Sequence, residues 1–203
     1  MTVSNISALL LSAGLSTRMG LHKATLTWMG KPLLVFQIDS LRNAGFREII
    51  VVLGHASNEL KKCLPTDPQI KIVNNKHYTH GQTSSIKYGL SYLSQDSDGV
   101  MIVAVDQPRS VNTYYSLAEH LSKECSIVTP SYKGISGHPV LFHKSLLSEL
   151  LTIQETTKGL KKIVECHPTK RLMIDIDDPL IPLNINTIAD YEEALNTLTK
   201  ERQ

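Results

Sequence analysis

Short uninterrupted apolar runs alternate with stretches of helical periodicity along the chain. Such runs predict strands buried on both faces of a sheet, and they cover residues 6–11, 48–53, 70–73, 100–105, 126–129, 139–142, 171–174 and 183–185. Apolar residues spaced three or four apart predict helices over 31–43, 57–64, 83–93, 111–121, 144–151 and 158–164, and a closing helix capped by Asn186 or Thr187. This alternation indicates an α/β protein with a mostly parallel sheet.

Residues 130–142 interrupt the alternation with two short extended pieces around Gly134 and Gly137. They predict a small antiparallel excursion within the same sheet. No repeat, low-complexity tract or linker divides the sequence. We therefore expect residues 1–203 to form a single domain, with helices on both faces of the sheet.

Composition narrows the functional classes. The 203 residues are 41% hydrophobic and 20% charged, with a net charge of +2, as is usual for a globular domain. There is no strong basic field for nucleic acid, and no apolar stretch approaches the roughly 18 residues of a membrane-spanning helix. The three cysteines are isolated, which argues against a zinc site or a disulfide framework. We expect a cytoplasmic protein that binds neither nucleic acid nor membrane.

The first predicted strand leads into the small residues Ala13 and Gly14, and two cations, Arg18 and Lys23, follow. A buried strand that ends in a glycine turn is a common way to place a phosphate-binding loop at a sheet edge. A tight turn with two solvated cations is the alternative. The spacing is not a dinucleotide fingerprint, because Ser16 replaces its second glycine, and no Gly-Lys-Ser/Thr sequence makes it a P-loop.

A longer pattern runs through this loop: Leu11-x-x-Gly14-x-Ser16-x-Arg18-Met19-Gly20-x-x-Lys23, followed by Gly30-Lys31-Pro32-Leu33. It resembles the signature of the nucleotidyltransferases that act on the molybdenum cofactor, and most closely their CTP:molybdopterin cytidylyltransferase branch. The resemblance implies a Rossmann-like nucleotidyltransferase fold. It also implies that Ala13 and Gly14 bind the nucleotide through backbone N–H groups, and that Arg18 and Lys23 neutralise its phosphates. Leu-Ser-Ala-Gly is more similar to the L-A-A-G of cytidylyl enzymes than to the L-A-G-G of guanylyl enzymes.

Asp106 ends the predicted strand 100–105 in the segment Asp106-Gln107-Pro108. A lone aspartate at a strand end often caps a helix, but ligands of α/β sheets bind at this edge, and a carboxylate suits Mg²⁺. The family has its metal-binding aspartate in an equivalent D-x-P segment. In the later segment Asn184-Ile185-Asn186-Thr187 the cytidylyl branch has D-I-D-T, and guanylyl relatives have N-x-N-T. An amide oxygen can also ligate Mg²⁺, so Asp106 and Asn184 are the predicted metal ligands.

Two further segments resemble the family. Gly81, Ser84 and Ser85 begin a predicted helix whose start faces the nucleotide base in that family, although serines also cap helices. The run from Gly137 to Phe142, G-H-P-V-L-F, matches the acceptor-facing segment of the cytidylyl branch. The resemblance therefore makes His138 an acceptor-binding residue, where residue type alone would favour a structural histidine. At 156–159 the sequence departs from the family's Gly-Asp-x-Gly and keeps only the final glycine.

The resemblance implies transfer of CMP from CTP to the terminal phosphate of molybdopterin, with release of pyrophosphate. Arg18, Lys23 and Asp106 would be catalytic and Mg²⁺ the cofactor, and a molybdenum hydroxylase could receive the product. The attacking phosphate is already anionic at neutral pH, so no general base is required. The alternatives are a guanylyltransferase of the same family, an NAD(P)H-dependent reductase of a small aromatic substrate, and a cofactor-delivery protein without catalytic activity.

Overall fold

A central sheet organises the computed structural model, which describes residues 3–15, 19 and 22–200. Arg18 lies outside these ranges. The strands are β1 Ile6–Ser12, β2 Thr27–Trp28, β3 Lys31–Pro32, β4 Glu48–Leu53, β5 Ile70–Asn74, β6 Gly99–Ala104, β7 Ile127–Tyr132, β8 Ile135–Ser136, β9 Val140–His143 and β10 Arg171–Asp175. The main sheet has the order β5-β4-β1-β6-β9-β7-β10, with β8 beside β7, and β2 pairs with β3 separately.

The connections around β1 create a crevice at its carboxyl end. β1 lies between β4 and β6 and is parallel to both. The chain first continues to β4 and β5 on one side and then crosses to β6 on the other. Ligands of open α/β sheets bind where the strand order reverses in this way. Leu11 is in register with Ala104, so the residues that follow β1 and β6 meet at this edge.

The predicted antiparallel excursion is present. β9 runs antiparallel between β6 and β7, and β8 pairs with β7 as a short hairpin. The prediction of a strand at 183–185 is wrong. Residues 181–187, which we call the return segment, have no strand within them. They lie against the loop after β6, and Ile185 N donates to Asp106 O over 2.9 Å. Because the neighbouring segment is a loop, it offers no strand for regular β pairing.

Helices cover both faces of the sheet, as the sequence predicts. They are α1 Leu33–Asn43, α2 Ser57–Lys62, α3 Gln82–Leu90, α4 Val111–Ala118, α5 Leu147–Leu150, α6 Leu160–Cys166 and α7 Ile188–Lys200. Successive β1 side chains alternate between the faces: Ala8 and Leu10 join the core under α1 and α4, and Leu9 and Leu11 join the core under α3, α5 and α6. Within the described ranges, no helix combines the length and apolar character needed to cross a bilayer.

Candidate active site

A cavity of about 440 Å³ opens at the carboxyl ends of β1 and β6. Its walls come from the loop after β1, the residues around Lys23, the start of α3 and the end of β6. Six of the residues singled out in the sequence line it, namely Ala13, Gly14, Lys23, Gly81, Ser85 and Asp106. The structure therefore brings together motifs that are separated by more than 80 positions in the chain.

Lys23 joins two of these walls. Its Nζ lies 2.7 Å from Asp106 Oδ2 and 2.9 Å from Asn186 Oδ1. The Lys23 side chain is only 12% exposed and that of Asp106 24% exposed, so the pair is largely shielded from water. The result is a fixed cation, a carboxylate and an amide oxygen at the base of the cavity, which together can bind a charged phosphate chain and a hard metal ion.

A buried glutamine holds the backbone that carries Asp106. Gln37, on α1, is fully buried, and its Nε2 donates to Ala104 O and to Gln107 O, each over 3.0 Å. Its Oε1 accepts from the Tyr114 hydroxyl. Gln37 belongs to none of the sequence motifs described above. It stands four residues from both Leu33 and Leu41, and this spacing is the sequence signal that places it on the buried face of α1.

The two asparagines of the return segment have different surroundings. Asn184 is exposed, and its Oδ1 accepts from Gln107 Nε2 over 2.6 Å. Asn186 lines the cavity beside Lys23. Asn184 as a metal ligand stays a prediction, and Asn186 is the asparagine whose amide oxygen faces the Lys23–Asp106 pair.

Of the two residues that the sequence offers as the cap of α7, Asn186 and Thr187, the structure uses Thr187. Thr187 Oγ1 accepts from Asp190 N over 3.2 Å, and Asp190 Oδ2 accepts from the backbone N of Asn186 and of Thr187, each over 2.8 Å. This is a capping box. The two backbone hydrogen bonds lower the pKa of Asp190. Because the cap uses Thr187, the side chain of Asn186 faces Lys23 instead.

Asn75 organises the two serines at the start of α3. It follows β5, is 1% exposed, and donates through Nδ2 to Ser84 Oγ over 3.0 Å and to Ser85 Oγ over 3.1 Å. Ser85 lines the cavity, whereas Ser84 is not among the lining residues and donates its own hydroxyl to the carbonyls of His77 and Gly81. Asn75 was missed because a polar residue after a strand predicts only a turn.

A carboxylate from another part of the chain caps α3. Glu155 Oε1 accepts from Thr83 N over 2.6 Å, and the helix has no cap from its own Gly81. The idea that a serine caps this helix is therefore wrong, because Ser84 acts there as a donor to carbonyl oxygens. Gly81 has φ +96°, and a Cβ on it would lie 2.4 Å from Glu155 Oε1. An acidic side chain thus reaches this site from the position just before the 156–159 segment.

Aromatic and imidazole rings form the wall on the β4 side. His22 and His55 stack with centroids 5.3 Å apart, and His55 meets Tyr78 at 6.2 Å. His22 and Tyr78 line the cavity. Burial and the neighbouring His55 lower the pKa of His22, against the opposing effect of Glu59. Among the described residues, His22 Nε2 is a buried polar atom without a hydrogen-bond partner.

His138 precedes β9, which lies on the side of β6 away from β1, and it is not among the residues that line the cavity. Its carbonyl accepts from Arg109 Nε over 2.9 Å. The pKa of His138 is lowered by its partial withdrawal from water and by the positive charge of Arg109, and Asp106 opposes the shift. His138 is exposed, and its imidazole is within electrostatic reach of both charges.

The oxygen donors of the site fit a hard divalent cation. Asp106 offers a carboxylate and Asn186 an amide oxygen within one cavity. No cluster of three or more His, Cys, Asp or Glu side chains is arranged to hold a metal within the described ranges, this cavity included. Mg²⁺ in nucleotide sites commonly takes one or two protein oxygens and fills the other positions with phosphate and water. The residues present match that pattern.

The fold and the cavity define a nucleotide-binding α/β enzyme. A family model, the MobA-like NTP transferase domain, matches residues 8–172. The chain belongs to this family and is a nucleotidyltransferase.

Individual relatives cover the whole chain. It is 26% identical to the molybdenum cofactor cytidylyltransferase of Escherichia coli K12, over 98% of this chain and 100% of the relative. It is 30% identical to a probable molybdenum cofactor guanylyltransferase of Natranaerobius thermophilus, over 97% and 98%. The crystal structure of Rv0371c from Mycobacterium tuberculosis H37Rv matches with a TM-score of 0.81 and 25% identity, over 97% and 100% of the chains. That protein has also been solved in complex with manganese (TM-score 0.77, 23% identity, 94% and 98% covered).

Proposed function

We propose that this nucleotidyltransferase transfers CMP from CTP to the terminal phosphate of molybdopterin and releases pyrophosphate. The observation that carries the proposal is the contact of Lys23 Nζ with both Asp106 and Asn186, across the cavity from the Ala13-Gly14 turn. A cation held between an acid and an amide is suited to a polyanion that binds together with a metal ion. The relatives named as cytidylyl- and guanylyltransferases support the same chemistry.

The turn after β1 suits the phosphates. An ideal Cβ on Gly14 would have no described atom within 4 Å, so the backbone at this position is open to the cavity. The N–H groups of Ala13 and Gly14 would bind nucleotide oxygens, and Lys23 with Arg18 would stabilise the charge at the α-phosphorus. An oxygen of the acceptor phosphate forms the new P–O bond as the bond to pyrophosphate breaks. The attacking oxygen is already deprotonated, so this step needs no general base.

Asp106 and Asn186 are the residues that would hold Mg²⁺. Bound there, the ion would neutralise part of the triphosphate charge. Asp106 contributes the negative charge of this set and Asn186 a neutral oxygen. Lys23 contacts both side chains and holds them at the cavity that it lines with them.

Ala13 favours a pyrimidine base. Its side chain is buried, its carbonyl accepts from His55 N over 3.3 Å, and a Cβ on Gly54 would lie 2.7 Å from that carbonyl. The backbone at Ala13 is therefore held firmly against the loop after β4. With the base beside this position, a methyl group on a firmly held backbone would leave less room for a two-ring base than a glycine, and this supports CTP over GTP.

His138 supports the assignment of the acceptor side. The nucleotide residues lie between β1, α3 and β6, whereas His138 precedes β9 on the side of β6 away from β1, where a second substrate could approach the α-phosphorus. A molybdopterin-type cofactor is the acceptor that the relatives' names suggest. A molybdenum hydroxylase that receives the product, and a cytoplasmic site for the reaction, belong to the same proposal.

The test is pyrophosphate release. The protein is incubated with CTP, GTP, ATP or UTP in turn, with Mg²⁺ and molybdopterin, and the Lys23→Ala variant serves as the matched control. We expect release with CTP that depends on the acceptor and is lost in the variant. Release with GTP alone would correct the base assignment. No release with any triphosphate would remove the transferase proposal in favour of cofactor delivery, or of a reductase if NAD(P)H is oxidised instead.

A further inference from the structure

Arg109 is a buried cation that the proposed reaction does not yet use. It follows the loop after β6 and is 1% exposed. Within the described ranges its hydrogen bonds all go to backbone carbonyls, and no carboxylate pairs with it directly. Nε donates to His138 O (2.9 Å), Nη1 to Pro108 O (2.8 Å), and Nη2 to Ile181 O (2.9 Å) and Leu183 O (3.3 Å).

These bonds join three segments that surround Asp106. The first is the loop of Asp106 itself, the second is the segment of His138, and the third is the return segment that carries Asn186. The second and third are in direct contact, because a Cβ on Gly137 would lie 2.2 Å from Ile181 O. That same carbonyl oxygen accepts from Arg109. The planar, forked guanidinium suits this junction, because one compact donor could not reach all three segments.

The charge of Arg109 is costly at this position. Burial lowers the pKa of Arg109 to about 10, against the opposing effects of Tyr114, Asp178 and Asp106. The group is still protonated at neutral pH. A buried charge without an ion-pair partner destabilises a fold unless hydrogen bonds and fixed dipoles offset its desolvation. Here carbonyl dipoles do so, and the positive charge is within electrostatic reach of both Asp106 and His138.

We propose that Arg109 is a positioning residue for the acceptor, which holds His138 at a fixed place relative to Asp106 and supplies positive charge beneath an anionic acceptor phosphate. The inference rests on the proposed function for the identity of the acceptor. Arg109 touches neither substrate and acts through the His138 segment and through its field. Asp106 and Asn186 are also held by Lys23, so replacement of Arg109 should affect acceptor binding more than nucleotide binding.

The experiment compares Arg109→Gln and Arg109→Lys with the control Arg171→Gln. Arg171, on the edge strand β10, donates to the side chains of buried Thr129 and exposed Ser136. The KM values for CTP and for molybdopterin are measured separately, and NMR titration of the nucleotide-free protein follows the His138 ring. Thermal unfolding identifies variants that have lost the fold.

We expect the acceptor KM to rise about tenfold or more in both Arg109 variants, because small displacements of a positioning group have large kinetic effects. The CTP KM should change less than about threefold, and the control should match the wild type. In Arg109→Gln the pKa of His138 should rise, because the positive charge that lowers it is gone while Asp106 remains.

Equal changes in both KM values, or an unchanged acceptor KM in a folded variant, would overturn the inference. So would a His138 pKa that is unaffected by Arg109→Gln. If Arg109→Gln does not fold, the KM values of Arg109→Lys for CTP and for molybdopterin test the inference. A wild-type protein without turnover would instead refute the proposed function, and the His138 titration would still test whether Arg109 governs that side chain.

Discussion

Gly137→Ala tests the packing that places the acceptor side of the site. The new Cβ would lie 2.2 Å from Ile181 O, 2.5 Å from Ile181 Cγ2 and 2.8 Å from Ile181 C. Ordinary contacts are about 3.5 Å, so the two segments must separate by about 1 Å. Gly137 does not have a positive φ, and the effect is therefore steric rather than conformational.

The separation also affects Arg109, which bridges His138 O and Ile181 O with bonds of 2.9 Å each. An added 1 Å takes at least one of them beyond hydrogen-bond range. Overpacking costs about 1–3 kcal/mol, and a lost bond to a charged donor costs about 1.5–3 kcal/mol. The lower entropy of the unfolded alanine variant offsets about 0.4–1 kcal/mol. The expected loss is about 2–4 kcal/mol, which for this chain length lowers the Tm by about 5–15 °C.

The assay is thermal unfolding followed by circular dichroism, with Gly14→Ala as the matched control. A methyl on Gly14 projects into open space in the described structure, so its Tm should stay within about 2 °C of the wild type, although nucleotide binding should weaken. A Gly137→Ala variant with the wild-type Tm and an unchanged acceptor KM would show that the Gly137–Ile181 contact has been misjudged.

Three further predictions concern the cavity. Lys23→Ala and Asp106→Ala should each lower kcat about 10²-fold or more, because each removes a preorganised charge; near-native steady-state rates in both would contradict their role. Ala13→Gly should raise kcat/KM for GTP relative to CTP by roughly tenfold, the scale for one methyl group, and an unchanged ratio would show that Ala13 does not select the base. The pKa of His138 is lowered from 6.5 in the folded protein, so the unfolded state binds more protons below about pH 7 and the free energy of unfolding falls as the pH drops. Urea denaturation from pH 8 to 5 should show a flatter decline in His138→Asn, and an identical slope would contradict this.

The sequence was sufficient to predict the framework of the site. The strands β1, β4 and β6 are continuous apolar runs because parallel strands are covered on both faces. Once these strands are assigned, Ala13 and Asp106 both follow the carboxyl ends of parallel strands, so they are predicted to lie at the same edge of the sheet, where ligands bind. Those inferences depend on patterns within a few residues of each position, and the structure agrees with them.

The supporting polar residues could not be predicted in the same way. Gln37 and Arg109 are buried donors to backbone carbonyls far along the chain, and buried Asn75 donates to the hydroxyls of Ser84 and Ser85. Polar residues of these types are mostly exposed, so their burial is not expected from the sequence. Glu155 caps a helix that begins more than 70 positions earlier in the sequence. The strand predicted at 183–185 is absent because Leu183 O accepts from the Arg109 side chain and Ile185 N donates to the loop carbonyl of Asp106.

The most direct test of the central claim follows the α-phosphorus. CTP labelled with ³²P at the α-position is incubated with the protein, Mg²⁺ and molybdopterin, and a parallel reaction contains CTP labelled at the γ-position. We predict that the α-label appears in the pterin product and the γ-label in pyrophosphate, and that both products form about 10²-fold or more slowly with Lys23→Ala. Recovery of the γ-label in the pterin, or of the α-label only as free CMP or unreacted CTP, would contradict attack at the α-phosphorus and with it the proposed reaction.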